Sequence, residues 1–176
     1  MQAVSNSVCH IGKWCLSLQQ PKDVVVQDPF FNPESRQFFN QVTEFLLEKA
    51  IQILDTDCLS VGWPMIDFLT PWIQSHYKME ELPPGVGEKI LQIFDIVLKR
   101  MAYPEWCEIE VDPDDAQLDY SKYRDLFTVM LKNIGLIKPI RPQFLHRISQ
   151  EIEQIQVPLT PVRRAEVSLL TITELH

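Results

Sequence analysis

Glu88 to Gly135 reads EKILQIFDIVLKRMAYPEWCEIEVDPDDAQLDYSKYRDLFTVMLKNIG, and its pattern decides the fold class. Ile90, Leu91, Phe94, Val97, Leu98 and Met101 recur at spacings of three and four, which predicts a helix over about Gly87 to Met101 with a broad apolar face. Tyr123, Leu126, Phe127, Met130, Leu131 and Ile134 repeat the pattern over about Asp119 to Ile134, and Gly135 is placed to stop that helix. Between the two, Glu105 to Tyr120 carries seven carboxylates and no basic residue. The stretch therefore reads as a pair of amphipathic helices joined by an acidic connection at about 104–118.

Working outward, the same periodicity returns. Upstream, EELPPGVGE is a clear break. Before it, a helical segment over about Leu59 to Tyr77 contains Pro64 and Pro71; Pro64 fits a first turn, and Pro71 should bend the remainder. Glu34 to Leu54 is predicted as a long helix with Phe38, Val42, Phe45 or Leu46, and Ile53 on its apolar face. Near the start, Val4, Val8, Ile11, Cys15 and Leu18 form one stripe ending before Pro21, and Val24 to Asn32 reads as a loop. Downstream, Arg141 to Ile155 carries Phe144, Leu145, Ile148, Ile152 and Ile155. Thr160 to Leu175 makes a last helix, with Thr160 as cap and Pro161 in the first turn. No strand or hairpin pattern occurs.

An all-α chain of this kind can close into a compact bundle or stack its helix pairs into a superhelix. Several helices are apolar over more than one face, as inner members of a stack must be. The closing TITELH has no polar outer face of the sort an end repeat needs. These features favour an α-solenoid of antiparallel helix pairs over residues 1–176, an armadillo-type superhelix continuing in a longer array. The weak repeat signal fits HEAT-like units rather than ankyrin or tetratricopeptide motifs.

The chemistry on offer is sparse. No apolar run reaches the roughly 18 residues of a membrane span, and the first residues lack the basic head and apolar block of a secretory signal. This predicts a soluble intracellular protein without membrane insertion. Cys9, Cys15, Cys58 and Cys107 form no CxxC pair, and Cys9, His10 and Cys15 are the only local cluster, so no zinc site is expected and the thiols read as reduced. A calcium hand started at Asp112 fails at Ala116 and Gln117. His10, His76, His146 and His176 stand in no nucleophile motif, and PPGVGE lacks a phosphate-loop lysine. No catalytic, metal or cofactor residues are assigned, and the chain is not expected to be an enzyme. Trp14, Trp63, Trp72 and Trp106 read as core residues rather than base-stacking platforms.

Charge is unevenly spread. The formal net charge is −8, unusual for a free-standing nucleic-acid binder and against DNA as a partner. Yet Lys122 to Arg147 carries Lys122, Arg124, Lys132, Lys138, Arg141 and Arg147 against one acid, Asp125. Local field, not net charge, decides binding, so Lys138, Arg141 and Arg147, around a predicted helix start, are candidate phosphate contacts. The acidic connection, with Glu108, Glu110, Asp112, Asp114 and Asp115, is either a solvated loop or a latch for a basic partner.

The helix pair of the opening stretch resembles the middle of the exportin-T family, tRNA-carrying receptors of the karyopherin-β (importin-β) class. There a helix ends in a basic phrase and tyrosine, matched by Lys99, Arg100, Met101 and Tyr103; an acidic loop follows; then a tyrosine–arginine pair, matched by Tyr123 and Arg124, opens the next helix. RRAEVSLLTITELH is similar to a later family helix at Glu166, Val167, Leu169, Leu170 and Glu174, departing at Thr173 and His176. LEKAIQILDTDCLSVGWPMIDFLTPWIQ matches in layout, with Pro64 and Pro71 as departures. The resemblance implies a HEAT-repeat superhelix that binds tRNA together with RanGTP, meets nuclear pore proteins, and shuttles between nucleus and cytoplasm. It implies tRNA recognition by shape and backbone charge, and no cofactor. Two other readings stay open: a karyopherin carrying protein cargo, and a HEAT scaffold for protein–protein interaction.

Overall fold

The computed structural model describes residues 1–19, 33–56, 58–101 and 115–153. Among them the chain forms six helices and no strand: α1 (Gln2–Gln19), α2 (Pro33–Leu54), α3 (Leu59–Gln74), α4 (Val86–Met101), α5 (Asp115–Gly135) and α6 (Arg141–Glu153). The chain divides into two compact units, Met1–Trp72 and Ile73–His176, with the division in the last turn of α3. The predicted helix over Thr160 to Leu175, Ile155 and the loop over Val24 to Asn32 lie outside the described residues.

In the first unit α1 runs parallel to α3. The Ser5 hydroxyl near the start of α1 donates to the Val61 carbonyl near the start of α3. About two turns on, Gly12 faces the Phe68 ring and Lys13 pairs with Asp67 at 3.8 Å. Contacts that advance together along both helices require a common direction. The end of α1 meets the first turns of α2, Trp14 edge-on to Phe39 at 5.6 Å and the Cys15 thiol bonded to Thr43, so α2 runs the other way.

This packing corrects the predicted face of α1. The buried positions are Ser5, Val8, Cys9, Gly12, Cys15 and Leu16, whereas Val4 and Ile11 are exposed. On α2 the buried face is Thr43, Leu46, Leu47, Ala50, Ile51 and Leu54, and Phe38 and Phe45 point outward. Trp14 is exposed as well, against its reading as core, while Trp72 is buried.

α3 is deeply packed, with Met65, Phe68 and Leu69 fully enclosed. It continues through both prolines. Pro64 is its sixth residue, past the first turn in which it was expected. An interior proline costs about 3 kcal/mol, whereas each fully buried large apolar side chain contributes about 1.5–3 kcal/mol. Val61, Met65, Ile66, Phe68, Leu69 and Trp72 together outweigh both prolines.

In the second unit a tight turn over Pro83–Val86 leads into α4. Val86 N–H donates to the Pro83 carbonyl at 3.2 Å, and Gly85 has φ +78°. Proline at the second position and a left-handed glycine at the third are the demands of a type II turn. α4 follows and buries Val86, Ile90, Leu91, Ile93, Phe94, Ile96, Val97 and Met101. Its exposed positions are confined to the strip Glu88, Gln92, Asp95 and Lys99, so it is apolar over about two thirds of its circumference.

α4 and α6 are parallel by the same reasoning as α1 and α3. Gly87 lies against Ile140, Phe94 against Phe144 with ring centroids 4.9 Å apart, and Asp95 against Arg147. α5 returns between them: Tyr120 near its start donates its hydroxyl to the Arg100 carbonyl at the end of α4, at 2.6 Å. That bond satisfies one of the orphan carbonyls at a helix C-terminus. Leu145 of α6 is exposed, contrary to its predicted inward place, while Phe144 and Ile148 are buried.

α5 ends at Gly135, as expected, although Gly135 is not in the left-handed conformation that Gly85 adopts. The last turn instead tightens, with Leu136 N–H shared between the Lys132 and Asn133 carbonyls, and Arg141 Nε donates to the Gly135 carbonyl at 3.0 Å.

A test of the α1–α3 contact follows from Gly12. A Cβ there would sit 2.5 Å from the buried Phe68 ring. Alanine gains about 1 kcal/mol of helix propensity over glycine, but overpacking a core costs about 1–3 kcal/mol, or more against an enclosed ring. Gly12→Ala is therefore expected to destabilise the protein, seen as a lower denaturant midpoint at unchanged slope.

Candidate nucleic-acid interface

The basic residues lie on the second unit, on α5, α6 and the turn between them. That turn is pinned from inside: Ile137 and Ile140 are buried on either side of exposed Lys138. Ile137 N–H bonds the Ile134 carbonyl, and the Ile137 carbonyl in turn accepts from Ile140 and Arg141. The two isoleucines leave Lys138 no inward path, so its amine reaches solvent and pairs with Glu80 at 3.3 Å.

The three candidates are tied to three different places. Lys138 bridges to Glu80, with both side chains largely exposed; such a pair is worth about 0–1 kcal/mol, so a phosphate can compete for the amine. Arg141 is held by the Gly135 carbonyl. That partner is uncharged, and the guanidinium keeps its full positive charge. Arg147 is bonded to the Asp95 carboxylate of α4, which cancels much of its field. On α6 positions 141 and 147 are about 120° apart, so Arg141 and Arg147 flank the buried Phe144–Ile148 face on opposite sides.

The fold also aligns basic residues that were not singled out. Lys122, Asp125, Val129, Lys132 and Leu136 are all exposed and follow one another at spacings of three and four along α5. They make its outer face, with Lys132 toward the end that meets the Lys138–Arg141 turn. Arg124, by contrast, is buried. Of the acidic candidates, Glu108, Glu110, Asp112 and Asp114 lie outside the described residues. Asp115 is the first residue of α5, so the helix begins inside the stretch expected to be a loop.

Among the described residues no three metal-ligating side chains converge, and no helix is long and apolar enough to cross a membrane. Cys9 and Cys15 are buried free thiols, and burial raises both thiol pKa values. Cys58 differs. It precedes α3, its carbonyl accepts from Val61 and Gly62 N–H, and its exposed Sγ lies 3.3 Å from the Ser60 hydroxyl. The Ser60 hydroxyl, then the Val61 amide, lower its pKa. In sequence the signal was only a cysteine before a helix start.

No protein-family model matches the chain, and no curated protein sequence matches it.

The thiols carry a prediction. Only the thiolate is nucleophilic, so a lowered pKa moves the rise of reactivity to lower pH and a raised one moves it higher. Cys58 is expected to react with iodoacetamide first, with a half-maximal rate below the usual pH for free cysteine, and well ahead of Cys9 and Cys15. Peptide mapping after timed alkylation between pH 6 and 10 checks the order.

Proposed function

We propose that the chain is a stretch of HEAT-like α-solenoid from a nuclear export receptor that binds tRNA together with RanGTP and carries it to the cytoplasm. One observation carries the architectural half of the reading. In both units alternate helices run parallel and the helix between them returns antiparallel, the order that stacked helix pairs require. The breadth of the α4 apolar surface supports it, because an inner helix of a stack must pack on more than one side.

The tRNA half rests on the resemblance of the α4–α5 pair to the exportin-T family and on exposed basic residues along one run of chain. Lys122, Lys132, Lys138 and Arg141 are exposed on α5 and the turn after it, suited to a backbone read by charge and shape. Shuttling, pore-protein contact and Ran dependence belong to the same proposal.

The test is tRNA binding by the chain with and without GTP-locked Ran, over a series of salt concentrations. Lys138→Gln and Arg141→Gln are expected to weaken every tRNA alike, each flattening the salt dependence by about one unit of slope. Arg147→Gln should matter less, because Asp95 already holds that charge. Binding that survives in the Lys138→Gln, Arg141→Gln double variant would remove this region from the interface. Failure to retain tRNA with Ran present would overturn the reading.

A further inference from the structure

α1 has a second apolar seam that the core does not use. Val4, Ser7, Ile11, Trp14 and Leu18 follow one another at spacings of three and four, the repeat by which one helix packs along another. Val4, Ile11 and Trp14 are 62%, 47% and 56% exposed. The seam has no charged residue. Its one polar group, the Ser7 hydroxyl, donates to the Ala3 carbonyl at 2.9 Å. A hydroxyl satisfied within its own helix makes little demand on water.

The surface continues onto α2. Trp14 meets Phe39 edge-on at 5.6 Å, Phe39 meets Phe38 at 5.7 Å, and Phe38 and Phe45 are 60% and 58% exposed. At that exposure the Trp14, Phe38 and Phe45 rings alone present about 250–450 Å². The largest apolar patch on a typical monomer is about 300–600 Å².

We infer that this α1–α2 face is a self-association surface, on which two copies of the chain pack α1 against α1, antiparallel, about a two-fold axis. The seam is complementary to itself in that arrangement. With Ile11 on the axis it meets the partner's Ile11, and Val4 meets the partner's Leu18. Trp14, the largest side chain of the seam, lies over the partner's Ser7, the smallest, and the exchange is repeated on the other side as two-fold symmetry requires. Along the α1 seam electrostatics do not oppose it: α1 contains no carboxylate, and its one lysine, Lys13, is paired with Asp67 on the α3 side; the charged residues of the face, Glu44, Glu48 and Lys49, belong to α2, where Lys49 lies over the Phe45 ring at 5.7 Å. A standard interface needs about 800 Å² from each partner. The face provides that only when the α2 rings and the rim are covered too, so the dimer is weak and concentration-dependent. The inference is independent of the tRNA reading.

Sedimentation equilibrium of the whole chain from 1 to 500 µM is the test. The expected result is a mass rising from 20.5 kDa toward twice that value. Ile11→Glu and Ile11→Lys place like charges on the axis and should each raise the dissociation constant at least 10-fold, with helical circular dichroism unchanged because Ile11 lies outside the core. An equimolar mixture of the two variants should dimerise again, which a misfolded variant would not do. A wild-type chain that stays monomeric over this range would overturn the proposal and assign the face to a different occupant. So would dimers that survive Ile11→Glu, or a mixture that stays monomeric.

Discussion

The close approach of the first and third helix in each unit is the constraint on which the described structure depends, and each unit secures it with a glycine. In the first unit Gly12 of α1 leaves room for the Phe68 ring of α3; in the second, Gly87 of α4 abuts Ile140 at the entrance to α6, where an added Cβ would come within 3.2 Å of the isoleucine. Each contact is followed by an ion pair across the same two helices, Lys13 to Asp67 and Asp95 to Arg147, with the polarity reversed. An exposed pair contributes little to stability. Its value here is in register, because it selects one sliding position between two helices whose apolar faces would accept several.

Helix existence was legible in sequence, and faces were less so. The period around Ile90–Met101 places α4 to within a residue, and PPGVG marks its turn through the chemistry of proline and glycine. On α1 the reading went astray because the helix is apolar on two sides. Hydropathy ranks Val4 and Ile11 above Ser5 and Gly12, whereas packing puts Ser5 and Gly12 inside. Small residues at a helix crossing bury backbone rather than side chain, and a period computed on hydrophobicity passes over them. Gly135 illustrates the converse. Its composition suggested a left-handed cap, yet a guanidinium six residues on supplies the missing bond.

The candidate interface was legible as a charge run and no further. What decides the field at each base is a partner 52 or 58 residues away, Asp95 for Arg147 and Glu80 for Lys138, and no local pattern announces such pairs. The consequence is a ranking that the sequence could not make. Charge held by a neutral carbonyl, as at Arg141, remains available to an anion. Charge bonded to a carboxylate, as at Arg147, must first be released, and a bond between two ionised partners costs more to displace than one whose acceptor is neutral.

Two-sided helices connect the fold to its interactions. α4 and the second seam of α1 express one property, more apolar stripe than a single neighbour can cover. On α4 the surplus is enclosed, and each enclosed large side chain contributes about 1.5–3 kcal/mol. On α1 and α2 it faces outward, where the same residues add nothing to the stability of the unit and lower its solubility. A net charge of −8 opposes indiscriminate association, but it acts over a Debye length of about 8 Å in physiological salt. A seam free of charges over about four turns of helix therefore remains open to a matched surface at contact range while the molecule as a whole repels its neighbours. The acidic balance of the chain thus opposes indiscriminate partners most, and weighs least on a contact that is itself free of charge.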